Sequence, residues 1–364
     1  MKKNMFLSSC LRPLAGAALS LLIPALSACN QDITKDSEPI QEQPLGSIAL
    51  TVECDVAEAP ITRAITPYTT VESYESAVLK AEVFVFDATS GILNAYQNYT
   101  SLTPVDGHLP TQNLPCTQGN KHVYVVLNGG SISGLSAVRT EEALQALTCD
   151  LSLNGRNTST GFIMIGRKDI TVSGDNQACA ITARRLAFRV VLQKITNNTA
   201  LGAIDVKSVF LINSAKQLPL AMSNETTLPI ATGPGYNVAG KKTDSSAFIT
   251  SSATSDAPAM LFQDHVASIA SGGSSTTRKL VYGYPHSATG TQNVRLVVLA
   301  TLAGNDYYYP MDIPSPLAND TYTVELTIKN IGSSDPNIPV ETGSASVTVT
   351  VDGWTSRESI SATI

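Results

Sequence analysis

Apolar and polar residues alternate at a period of two through most of the patterned segments of this chain, and such alternation admits half-buried strands while excluding amphipathic helices. Near the end, Tyr322, Val324, Leu326 and Ile328 lie opposite Thr323, Glu325, Thr327 and Lys329. Ala345, Val347, Val349 and Val351 then lie opposite Ser346, Thr348, Thr350 and Asp352, and a last short piece alternates Ile360, Ala362 and Ile364. At the other end, residues 47–54 (SIALTVEC) set Ile48, Leu50 and Val52 on one face and Thr51 and Glu53 on the other. Residues 81–87 (AEVFVFD) and 122–128 (HVYVVLN) are dense in β-branched and aromatic side chains, as buried sandwich strands are. One strand is predicted over 185–193, with Leu186, Phe188, Val190 and Leu192 on one face and Arg185, Arg189 and Gln193 on the other; more follow over 204–213, 279–284 and 294–302. The single short helix predicted starts at Thr140 as N-cap, with Glu141 and Glu142 in its first turn and Leu144 and Leu147 toward the core. The fold class is therefore all-β, and 364 residues suit two domains better than one.

The net charge of -6, with charged residues at only 15%, leaves no basic stripe for nucleic acid. His108, His122, His265 and His286 are scattered without metal-ligand spacing, so no metal and no cofactor is expected. Residues 235–242 approach a phosphate-binding loop but place Lys242 where a magnesium-binding hydroxyl is required. No serine-nucleophile elbow or calcium loop occurs, and no catalytic residue is assigned. Of the six cysteines, Cys116, Cys149 and Cys179 remain after the front end is discounted, and they read as buried thiols or as one pair such as Cys149 with Cys179. Tyr307, Tyr308 and Tyr309 would either pack alternately along one strand or line up as a platform for sugar rings. The Ser/Thr-rich stretch 241–258 reads as an exposed loop.

The front end reads as two successive trims. Lys2, Lys3 and Arg12 precede an apolar run over 14–28 that is too short for a comfortable membrane span and matches an export signal. It closes on Leu26-Ser27-Ala28-Cys29, which is similar to a bacterial lipobox; acylation of Cys29 would hold the chain on a membrane surface. A polar tether follows, then the strand 47–54, then a Pro-containing loop with a basic cleavage point at Arg63-Ala64. A strand followed by a cuttable loop can be removed from a finished fold.

Taken together, the lipobox, SIALTVEC, the Arg63-Ala64 junction, VFVFDATSG, VYVVLN, RRLAFRVVLQKI and the ending SVTVTVDGW resemble the Bacteroidales-type fimbrillins, the subunits of type V pili. The resemblance implies two tandem transthyretin-like β-sandwich domains with Greek-key-type sheets. It divides the chain into a signal peptide (1–28), a lipid tether and propeptide (29–63), an N-terminal domain (64–181) and a C-terminal domain (182–364). It also implies an outer-membrane lipoprotein precursor that an Arg-specific protease cuts after Arg63, releasing Ile48, Leu50 and Val52 with their strand. Another copy, or a related fimbrial subunit, would fill the gap with a tail strand from 343–364; Val347, Val349, Val351, Ile360 and Ile364 are the candidates. The contrasting expectation is a lipid-anchored surface glycan-binding protein with the three tyrosines as its platform.

Overall fold

A computed structural model of the chain describes residues 44–54, 70–100, 102, 109–231, 259–287, 293–313, 315–338, 340 and 345–353. The first eight strands are β1 (Leu45–Cys54), β2 (Ala81–Asp87), β3 (Leu93–Tyr99), β4 (Gln112–Thr117), β5 (Gly119–Leu127), β6 (Thr148–Asp150), β7 (Met164–Val172) and β8 (Gln177–Arg185). All except β6 join in the order β3-β2-β5-β7-β8-β1-β4. β7 meets β8 only at Met164↔Arg185 and Ile165↔Arg184, which makes this pairing the corner where the sheet bends over its own core. Gly166 sits at that corner because a Cβ there would lie 2.5 Å from the Ile181 side chain and 2.8 Å from the Thr182 carbonyl oxygen.

The later strands are β9 (Phe188–Asn197), β10 (Ile204–Ile212), β11 (Gln217–Pro219), β12 (Phe262–Ile269), β13 (Ser274–Ser275), β14 (Lys279–Gly283), β15 (Arg295–Leu302), β16 (Asn305–Asp312), β17 (Asp320–Ile328) and β18 (Ala345–Gly353). They form one sheet in the order β12-β10-β15-β16 and another in the order β13-β9-β17-β18, with β14 also on β9. The all-β reading of the sequence holds. β2 spans the residues its pattern predicts. The predicted connector is the helix α1 (Glu141–Ala146), where the Thr140 hydroxyl accepts a hydrogen bond from the Ala143 N–H at 3.2 Å and Leu144 is buried.

One element differs from its prediction. The strand expected over 185–193 is two: β8 ends at Arg185, Leu186 and Ala187 form a bend, and β9 begins at Phe188. The arginines on its second face are both buried, because Thr70 and Glu75 cover them. The Arg189 guanidinium donates to Glu75 at 2.8 Å and to the Thr321 hydroxyl at 3.1 Å, and Arg185 donates to the Glu75 carbonyl at 2.8 Å. Tyr282 donates to the same carboxylate at 2.6 Å, and its ring packs on Phe162 and Tyr74. Burial raises the Tyr282 hydroxyl well above its ordinary value, so it stays a donor. A paired strand of β6 with β11 and a 2.8 Å contact between the Cys149 thiol and the Tyr284 hydroxyl tie the earlier sheets to the later ones. A continuous buried core runs through both sets.

Candidate functional site

The strand predicted to be removable is an interior strand. β1 pairs antiparallel with β4 from Leu45↔Thr117 to Leu50↔Gln112, and parallel with β8 from Ile48↔Gln177 to Cys54↔Ala183. Its alternation places Ile48, Leu50 and Val52 in the core at 0%, 1% and 3% exposure, beside Leu114 and Cys116 of β4 and Cys179 and Ile181 of β8, which are also buried. Burial pushes the Cys179 thiol up to about 12 and also raises that of Cys116, so both behave as neutral apolar groups in the walls of this site. Fully burying three such side chains stabilises by about 1.5–3 kcal/mol each.

Two features at the start of β1 were not evident from its pattern. Gly46 lies so close to the turn between β7 and β8 that a Cβ would stand 2.7 Å from the Gly174 carbonyl oxygen and 2.9 Å from a Val172 methyl. Ser47, buried, donates its N–H to that same Gly174 oxygen at 3.2 Å and accepts a hydrogen bond on its hydroxyl from the Asn176 N–H at 2.8 Å. The turn and the strand start therefore hold each other, and the hydroxyl satisfies a backbone donor. Further along, the Leu109 N–H donates to the Val52 carbonyl at 3.0 Å.

β4 depends on β1. Among the described residues its only ladder is with β1, and Pro115 within it suits a strand at a sheet edge. Beyond that, Asn94 on β3 and Thr117 exchange two hydrogen bonds of 2.9 Å. Loss of β1 would leave β8 and β4 facing each other across one strand's width, with open backbone groups on both sides and an apolar floor between.

At the other end, β18 pairs antiparallel with β17 along its whole length, with Val347, Val349 and Val351 in register with Leu326, Val324 and Tyr322. Among the described residues it has no second partner strand, so it lies at a sheet edge. Cys29, Arg63, Ala64, Ile360 and Ile364, as well as residues 235–242 and the stretch 241–258, lie outside the described residues.

The remaining sequence candidates resolve into packing. Tyr309 is buried and donates to the Asn330 carbonyl at 3.1 Å; Tyr307 packs on the main core, whereas Tyr308 packs on a separate cluster of Phe210, Ile212, Val297 and Leu299. Alternate tyrosines thus face opposite sides of β16, which is the packed-strand alternative, and they form no common platform. Cys116, Cys149 and Cys179 are free and buried, so the Cys149–Cys179 pairing does not form. Among the described residues no group of His, Cys, Asp or Glu could hold a metal ion, and no helix is long and apolar enough to cross a membrane.

Residues 51–178 match the family described as major fimbrial subunit protein (FimA), a span that begins inside β1 and ends inside β8. No curated protein matches the chain. Among solved structures, a protein of proposed cell-adhesion role from Parabacteroides distasonis superposes at a TM-score of 0.58 with 17% identity, covering 86% of this chain and 97% of that one. A fimbrilin (fimA) from Porphyromonas gingivalis gives 0.55 at 13% identity over 86% of this chain and 98% of its own. The tip fimbrial protein Mfa3 from Porphyromonas gingivalis, with a C-terminal truncation, gives 0.52 at 12% identity over 85% and 100%. At such identities the structural likeness is one of fold.

Proposed function

We propose that the chain is a fimbrillin-type pilin matured by removal of β1 and polymerised by strand exchange, a reading supported by its match to the family over residues 51–178 and by its fold. The family is structural and not enzymatic, and its place is a cell-surface fimbria. In this reading the chain is exported, acylated on Cys29 and held at the outer membrane until an Arg-specific protease cuts between Arg63 and Ala64. The mature subunit, two tandem β-sandwiches, then receives a tail strand from another copy or a related fimbrial subunit, and no nucleic acid or cofactor takes part.

The observation that carries the proposal is the position of β1: an interior strand whose covalent link to the rest of the fold runs through residues 55–69, the segment that contains Arg63. On the far side of that link, Glu75 is already fastened by Arg189 and Tyr282. A cut at Arg63 therefore leaves every described element intact and changes one thing, the effective concentration of β1 at its own site. Before the cut an intramolecular strand outcompetes any tail from outside; after it, β1 dissociates as a separate peptide and a second copy can take its place. Main-chain ladders on both sides and buried alternate side chains offset the entropy of association.

The experiment is to treat purified chain lacking residues 1–28 with trypsin-like protease. The expected product begins at Ala64, loses the peptide containing 45–54, and forms a ladder of oligomers that resists mild detergent. A chain cut at Arg63 that keeps its β1 peptide and stays monomeric at high concentration would overturn the proposal.

A further inference from the structure

We propose that the strand donated by a second copy enters the β1 site in one defined register, with Gly343 in the place of Gly46 and Ser344 in the place of Ser47. This rests on the strand-exchange reading above and adds what that reading leaves open, namely which tail residues face which walls.

The start of the site makes two stereochemical demands. At position 46 a Cβ would lie 2.7 Å from the Gly174 carbonyl oxygen, and a turn backbone cannot swing aside as the end of a flexible side chain can. At position 47 the hydroxyl accepts from the Asn176 N–H at 2.8 Å in a buried setting, so a residue without that oxygen leaves a donor unpaired. Beyond them the walls require apolar side chains at every second position, matching Ile48, Leu50 and Val52.

Gly46-Ser47-Ile48-Ala49-Leu50-Thr51-Val52 and Gly343-Ser344-Ala345-Ser346-Val347-Thr348-Val349 coincide at glycine, serine, threonine and valine. In this alignment Ala345, Val347 and Val349 take the inward positions. Apolar pattern alone would favour another register, with Val347, Val349 and Val351 in place of Ile48, Leu50 and Val52. That register puts Ala345 at position 46 and drives its Cβ onto the Gly174 oxygen. A further shift in the same sense places Val347 there, and a shift in the opposite sense places Glu341 there; both put a Cβ onto the same oxygen. The favoured register substitutes alanine for isoleucine and valine for leucine, so the tail fills the site less fully than β1 does. The order of events follows: the tail wins only once the covalent link of β1 is gone.

The test uses the full chain with paired cysteines. In β1, Ala49 stands opposite Asn113 of β4, an exposed residue, so the tail residue that replaces Ala49 will face position 113. After the Arg-specific cut, Ser346→Cys with Asn113→Cys is expected to lock neighbouring subunits by disulfides, and Thr348→Cys with Asn113→Cys is expected not to. The reverse outcome overturns the register while leaving strand exchange intact. Polymers that cross-link through neither pair overturn it in favour of a different donor strand. Failure of the unaltered chain to polymerise at all removes the reading beneath it. In parallel, Gly343→Ala is expected to slow polymerisation by roughly tenfold or more without changing the melting of the uncut chain. Polymerisation of Gly343→Ala at the parent rate contradicts the proposal.

Discussion

β1 and β18 are strands of ten and nine residues near opposite ends of the chain, and they are held in different ways. β1 is laddered on both sides, to β4 and β8, whereas β18 is laddered on one side, to β17. Removing β18 breaks one ladder and leaves β17 as the new edge of a sheet that still contains β9. Removing β1 breaks two ladders, strands β4 and opens an apolar core. An edge strand can therefore peel away by thermal fraying, but an interior strand leaves only when its covalent link is cut. On the proposed reading, the acceptor site is thus stored behind a chemical event while the donor stays accessible.

The sharpest contrast should appear at the thiols that line the β1 site. Cys179 is buried beside Leu50, so alkylation of the uncut chain at neutral pH should be slow; in cut chain truncated after Val340, so that no donor is available, it should be at least roughly a hundredfold faster. Residue-resolved mass spectrometry reads the rates. Equal rates in both forms would mean that β1 stays in place and the contrast is false.

The contrast also assumes that the chain downstream of the link stays fixed when β1 leaves. Glu75→Ala would leave the buried Arg189 guanidinium without its carboxylate and should cost about 3–5 kcal/mol in urea unfolding, equally in cut and uncut chain. A loss confined to one form would show that the anchor and the plug are coupled. Leu50→Ala should cost about 2–5 kcal/mol in the uncut chain and nothing in the mature chain, which no longer contains it.

The smallest effect tests the part of the seven-stranded sheet that β1 does not touch. On β2, the Asp87 carboxylate is held down to about 2 by a hydrogen bond from the Ser90 N–H and by Lys121, whose ammonium lies 3.0 Å away. Because the folded value lies below the ordinary one of 3.8, its contribution is complete above about pH 4 and is lost as pH falls through 2. Asp87→Asn should cost about 1–2 kcal/mol at pH 7 and nothing near pH 1–2, with the same profile in cut and uncut chain. A profile that depends on the cut would show that the loss of β1 loosens the β2–β5 pair as well.

Local patterns could be read from the sequence where one face is apolar and the other polar. The alternations at 322–329 and 345–352 correspond to β17 and β18, and Thr140 caps its helix, because period and capping are local properties. The strand at 185–193 could not be read correctly, since its arginine face looks solvated until Glu75, more than a hundred residues earlier, is placed against Arg189. Nor could the site itself be seen whole. Ile48, Leu50 and Val52 announce a buried face, but their neighbours Cys116 and Cys179 are brought in by β4 and by a parallel pairing with β8, and register between distant strands is a tertiary property. Gly46 and Ser47 were visible as letters, while the demands they meet depend on the Val172–Asn176 turn packing against them.

The most direct measurement is the chain start and peptide content of subunits recovered from assembled fimbriae. Mass spectrometry should find chains that begin at Ala64, with residues 45–54 absent and no acylated Cys29. Fimbriae whose subunits retain SIALTVEC in its own site would contradict the claim that β1 is a temporary occupant.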